Sequence, residues 1–233
     1  MAEADGAFDG ASETAGHRAR LRRRFLTAGS EALADYELLE LLLFLAKPRG
    51  DVKPLAKRLI REFGSYAEVI SAPAEALRKI DGMGEASVAA LKTAKASAVR
   101  LLRDPLINRP VLTNWRQLLE YCRAAMAHEP VEELRILFLD TRNRLIRDER
   151  QGRGTIDHTP LYVREVCRRA LDLGASAIIV VHNHPSGDPN PSKADIQMTH
   201  QLRDAAAPLN IALHDHIVVG RQGHYSFREN QML

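Results

Sequence analysis

The chain has 233 residues, 45% of them hydrophobic and 27% charged. That length allows two small domains at roughly 100–200 residues each, and the composition excludes a disordered chain. A net charge of +3 and a pI near 9.0 are too mild to announce a nucleic-acid partner, so local clusters must carry that argument.

Residues 1–16 are small, polar and acidic, with no apolar core of a signal peptide, and read as a disordered tail. From His17 to about Arg103 leucines and alanines recur at three- and four-residue steps, which predicts an all-α domain over 17–103. Its most apolar run, Leu38 to Ala46, is short and carries Glu40, whereas a membrane span needs about 20 apolar residues. The expectation is a soluble, cytoplasmic protein with no membrane partner. Asp104, Pro105, Asn108 and Pro110 make 104–113 a turn-rich linker.

Over 114–233 the pattern turns to mixed helix and strand. Helices are expected at about 114–127 and 161–173, and strands near 133–140 and 144–149. The isoleucine- and valine-rich run Ser176 to Val181 suits a fully buried strand. Ser192 opens a further helix, and 211–228 reads as a strand, a glycine-bearing turn and a returning strand. Cys122 and Cys167 are far apart and form no C-x-x-C pair, which argues against a disulfide framework and a thiolate zinc knuckle.

The chemistry concentrates in His182-Asn183-His184-Pro185-Ser186-Gly187-Asp188-Pro189-Asn190-Pro191-Ser192-Lys193-Ala194-Asp195. Side chains two apart on a strand point the same way, so His182 and His184 can share one focus. A proline-rich loop can then return Asp195 to that focus. Two imidazoles and one carboxylate leave the fourth tetrahedral position of a zinc ion open, as in catalytic sites. The competing reading is a capping box, with Ser192 as N-cap and Asp195 at N3. Spacing excludes an H-E-x-x-H zincin and a nucleobase deaminase with H-x-E and P-C-x-x-C.

H-x-H, seven residues and S-x-x-D resemble the JAMM motif of MPN-plus metalloenzymes. His-Asn-His-Pro-Ser-Gly-Asp-Pro from His182, preceded by Tyr162 to Val166 and followed by Asp215 to Gly220, is similar to the bacterial RadC family from about His17 onward. The resemblance implies a mixed α+β or α/β chain. An N-terminal helix-hairpin-helix-like domain would precede a JAMM/MPN-type, cytidine-deaminase-like α/β domain with a mixed sheet. It implies a zinc metallohydrolase, metallopeptidase- or isopeptidase-like, hydrolysing an amide by zinc-bound water. His182, His184 and Asp195 would hold Zn2+ and Ser192 would aid the oxyanion, while a glutamate from Glu132-Glu133, with Glu132 favoured, would move the proton. Asn183 stands where eukaryotic JAMM enzymes usually carry Ser or Thr. Asp188 reads as a turn residue ahead of a substrate contact, and His216 as a structural histidine ahead of a site residue.

Ile80-Asp81-Gly82-Met83-Gly84-Glu85 resembles the hairpin of helix-hairpin-helix modules, in which Gly82 and Gly84 would let backbone amides meet DNA phosphates. Glu85 replaces the usual basic residue, and a hairpin used for packing alone explains the segment equally. Arg18, Arg20, Arg22, Arg23 and Arg24 form a separate basic patch. The expected partner is therefore a peptide or isopeptide substrate. The alternatives are a DNA-binding repair or recombination accessory protein and a metal-dependent nuclease.

Overall fold

The leucine periodicity of the first half becomes a set of helices whose apolar stripes meet. The structure, a computed structural model, describes residues 10–107, 109–153 and 161–233. The helices are α1 (Gly10–Ala28), α2 (Asp35–Ala46), α3 (Lys53–Phe63), α4 (Tyr66–Ser71), α5 (Ala74–Arg78) and α6 (Glu85–Arg103). Leu39, Leu43, Leu55, Leu59, Val69, Leu77 and Leu91 form their common core. The segment 1–16, expected as a tail, is described only from Gly10, where α1 already begins; residues 1–9 lie outside the described residues.

The arginine cluster of α1 is not a uniform basic face. Arg18 is buried, donates to the Gly50 carbonyl at 2.7 Å and lies 4.3 Å over the Phe44 ring, and Arg24 pairs with Glu37. Only Arg20, Arg22 and Arg23 add exposed charge without an ion pair to Glu37 or a buried position. Gly82 turns the chain between α5 and α6 at φ +88°, a backbone region that L side chains resist. Gly84 precedes α6, and the first residue of that helix is the acidic Glu85, which opposes an approaching phosphate.

Contacts divide the chain between Lys95 and Ala96, inside α6. The segment 104–113 read as a linker carries short helical turns at Asp104–Leu106 and Val111–Asn114, with Leu106 and Val111 fully buried in the core of the second unit. Its two apolar anchors, not its prolines, decide where it belongs.

In that second unit follow α7 (Trp115–Met126), β1 (Glu133–Leu139), β2 (Leu145–Arg153), α8 (Val163–Asp172), β3 (Ala177–Asn183), α9 (Lys193–Ala206), β4 (Ala212–Gly220) and β5 (Gly223–Ser226). The described strands form one mixed sheet in the order β2-β1-β3-β4-β5, with β3 and β4 parallel and the other pairs antiparallel. Alternation assigns its two faces. Ile179, Val181, Ile217 and Val219 meet α7 through Leu118, Tyr121 and Cys122. Ile136, Phe138, Ile178 and Val180 meet Val166 and Ala170 of α8 and Leu202 and Ala206 of α9. The chain is thus a helical region followed by a mixed α+β domain.

No helix among the described residues is long and apolar enough to cross a membrane.

Candidate metal centre

β3 is buried on both faces and runs two residues beyond its expected end, through His182 and Asn183. Continuing the alternation from Ile178 and Val180, His182 faces the α9 side of the sheet. His184 lies just past the strand end, where its amide still donates to the Val219 carbonyl of β4 at 2.9 Å. The chain then loops to α9, which returns antiparallel across the sheet before β4. A β-strand end facing a helix N-terminus is where open α/β sheets place ligands.

Asp195 occupies the first turn of α9, where the capping-box reading holds. The Ser192 hydroxyl accepts from the Asp195 amide at 3.2 Å, while the Asp195 carboxylate accepts from the Ser192 amide and hydroxyl, each at 2.7 Å. The capping box fixes the carboxylate and leaves its oxygens turned to the histidines. His182 Nε2 lies 3.0 Å from His184 Nε2 and 3.5 Å from Asp195 Oδ1, and His184 Nε2 lies 3.6 Å from Asp195 Oδ2. Tetrahedral ligands at roughly 2.0–2.2 Å from a metal stand about 3.3–3.6 Å apart. The two Asp195 distances run to different oxygens; with one ligand atom from each residue the set lies within 4.8 Å, somewhat wider than that edge but close enough to be drawn onto one ion. Among the described residues this is the grouping of three ligand side chains that could hold a metal.

Electrostatics agree. Burial raises the Asp195 pKa, but His184, His182 and Ser192 outweigh it and hold the carboxyl well below its usual range. Burial pushes His182 down to about 4 against the pull of Asp195, so the ring is neutral. His184 is raised, chiefly by Asp195 and against its own burial. An anion and a neutral imidazole, with a second imidazole that competes for a cation, constitute a site for positive charge.

The loop is rigid for local reasons. The Asp188 carboxylate accepts from the Asn190 amide at 3.0 Å and from its side chain at 2.8 Å, a turn role, while the Asp188 carbonyl lies 2.9 Å from His184 Nδ1. A carbonyl only accepts, so Nδ1 carries the proton and Nε2 faces the site. Gly220 of β4 supports the loop from behind. A Cβ there would press into the Gly187 carbonyl, 2.8 Å from its carbon and 3.3 Å from the Pro189 nitrogen. Gly220→Ala should therefore displace the loop and weaken metal binding by at least tenfold with only a small fall in Tm. Chelator competition checks this, and an unchanged affinity would show the loop to be free of that contact.

The RadC-like JAB domain family matches residues 112–232, and the UPF0758 N-terminal family matches residues 14–89. A UPF0758 protein of Rhodobacter capsulatus is 58% identical over 213 residues, covering 91% of this chain and all of the relative. A UPF0758 protein of Ruegeria pomeroyi is 52% identical over 212 residues, covering 91% of this chain and 95% of the relative. The chain belongs to the RadC-like JAB family.

Membership supports a JAMM-type metal-dependent hydrolase at family level. Within this RadC-like JAB domain the two adjacent glutamates part. Glu133 is ion-paired to Arg135 at 2.6 Å and to Arg150 at 3.4 Å. Glu132 precedes β1, is buried, and is close enough to His184 to raise its pKa. Asn183, between the two histidines but on the opposite side of β3, holds that segment. Its Oδ1 accepts from the Glu133 amide at 2.8 Å, and its Nδ2 donates to the Val131 carbonyl at 3.1 Å and the Glu129 carbonyl at 3.3 Å. A Ser or Thr there could not span both groups.

Ser192 is exposed and bonded to Asp195. Gly82 and Gly84 belong to the other unit. On α8, Glu165 pairs with both Arg164 and Arg168. His216, expected to be structural ahead of a site residue, is buried with Nε2 2.7 Å from His182 Nδ1, and its partner Thr199 is what the sequence missed. A cavity of about 390 Å³ on the α7 side of the sheet, lined by Trp115, Asp215 and Arg228, offers no comparable chemistry. Its buried Asp215 is saturated by the Ser226 hydroxyl and the His216 and Arg228 amides.

Proposed function

We propose that this chain is a zinc-dependent hydrolase that cleaves an amide bond of a peptide or isopeptide. The observation that carries the reading is the convergence of one ligand atom each from His182, His184 and Asp195 within 4.8 Å, with Glu132 near enough for its charge to be felt at His184. Three protein ligands leave one coordination position open, as in catalytic rather than structural zinc sites. A zinc ion held there would supply Lewis acidity, polarising the scissile carbonyl and bringing the pKa of water to about 7.

The remaining work falls to side chains. Glu132 takes a proton from the attacking water and returns it to the leaving amine. Its burial, and the Asn183 hydrogen bonds to the residues on either side of it, suit a group that must hold one position. The Ser192 hydroxyl turns from Asp195 to the oxygen that gains charge, a donor role worth roughly 3–4 kcal/mol at best. His184 and Asp195 stay fixed through the loop and the capping box. The testing experiment is a screen of peptide and isopeptide substrates with zinc-loaded protein. Turnover by the wild type that is lost in Asp195→Ala supports the reading, and cleavage of nothing but nucleic acid overturns it.

Zinc affinity should also depend on pH with a definite sign. Protons compete with zinc for His184 Nε2, and the pKa of that ring lies above the ordinary value of 6.5 before metal binds. Affinity should be level at alkaline pH and fall about tenfold per pH unit once the pH drops below that pKa. Asp195, held low, stays ionised throughout. Chelator competition across the titration checks this, and a flat profile into the acid range contradicts it.

A further inference from the structure

We infer that Thr199 and His216 form a directional hydrogen-bond relay that sets the tautomer of His182 and so presents its Nε2 lone pair to the metal position. The inference rests on the reading of His182 as a ligand. Its direction follows from atoms with no choice of role. The Thr199 hydroxyl has one hydrogen and spends it on the Asp195 backbone carbonyl at 2.5 Å. Toward His216 Nδ1, 2.6 Å away, that hydroxyl oxygen can then only accept, so Nδ1 carries a proton.

His216 is fully buried and stacks on Phe227 at 4.7 Å, out of reach of the water that a charged ring would need. A neutral ring with Nδ1 protonated has an unprotonated Nε2. That nitrogen must accept from His182 Nδ1 at 2.7 Å. With its proton committed on the far side, His182 faces His184 and Asp195 with a lone pair. The relay therefore begins at the main chain of Asp195 and ends at His182, and it couples the strand and helix that carry them. Ring nitrogens of metal-ligating histidines are commonly fixed in this manner, and loss of the outer partner costs roughly 10–100-fold in metal affinity.

A bulge in β4 brings His216 to this place. Ile178 pairs with Leu213 but Ile179 pairs with Asp215, so His214 is an extra residue. Leu213 packs on the α8 and α9 side, and beyond the bulge it is the even positions that face that side. The buried Asp215 carboxylate accepts from the His216 amide at 2.7 Å and locks the bulge in position.

The test uses the full chain. In the zinc-free wild type at mildly alkaline pH, long-range ¹H–¹⁵N spectra should show His182 and His216 each with a protonated Nδ1 and a bare Nε2. His216→Phe keeps ring volume and the Phe227 stack but cannot accept, and should bind zinc roughly 10–100-fold more weakly. His216→Gln restores an acceptor near the Nε2 position and should recover most of that loss. A His182 ring protonated on Nε2, or a zinc affinity unchanged in His216→Phe, overturns the relay. The spectra need no metal. Should the predicted tautomers appear in a protein that binds no zinc, the relay stands and the proposed function falls.

Discussion

Glu132→Gln is expected to lower kcat on an amide substrate by roughly 10²–10⁴ while leaving zinc content and KM nearly unchanged. The substitution keeps shape and removes only the ability to take a proton. Glu133→Gln should behave in the opposite way. It weakens the pairs to Arg135 and Arg150, so its effect should appear in Tm, with kcat retained in the folded fraction. Steady-state kinetics beside metal analysis and thermal melts separates the two. If Glu133→Gln alone loses turnover, the assignment of Glu132 is wrong.

The second large effect concerns stability gained from metal. Zinc present at about a thousand times its Kd should add about 4 kcal/mol to the wild type by mass action, and this increment should vanish in Asp195→Ala and His182→Ala. The increment, not the absolute Tm, is the quantity to compare. Asp195→Ala also removes half of the capping box on α9, and a lost cap interaction costs typically about 1 kcal/mol without any metal. Melts with and without zinc resolve the contributions. A variant that keeps the full zinc increment would show that its missing side chain is no ligand.

Much of this site was legible because its parts are close in sequence. His182, His184, Ser192 and Asp195 span one strand end, one loop and one helix start, so local rules of alternation and capping suffice to bring them together. The capping box and the ligand role are competing readings of Asp195, and the bonds that cap α9 also orient its carboxylate.

What remained hidden depends on strand pairing. The partner that commits Glu133, Arg150, sits on the neighbouring strand, and the clamp on the Glu132 segment comes from Asn183 on another. The side of the sheet that His216 takes was hidden for a sharper reason. Alternation counted forward from Ile211 and Leu213 sends it to the α7 side, and only the bulge at His214 reverses the count. In the helical half, periodicity foretold the helices but not that Arg18 would be buried over Phe44. In 104–113 the prolines were the visible signal, while the burial of Leu106 and Val111 depends on contacts distant in sequence.

The most direct measurement is anomalous diffraction at the zinc edge from crystals of the zinc-loaded protein. The account predicts one peak per chain, with His182 Nε2, His184 Nε2 and an Asp195 oxygen each at roughly 2.0–2.2 Å and a fourth position left to solvent. A peak bound by other residues, or none at this strand end, would contradict it.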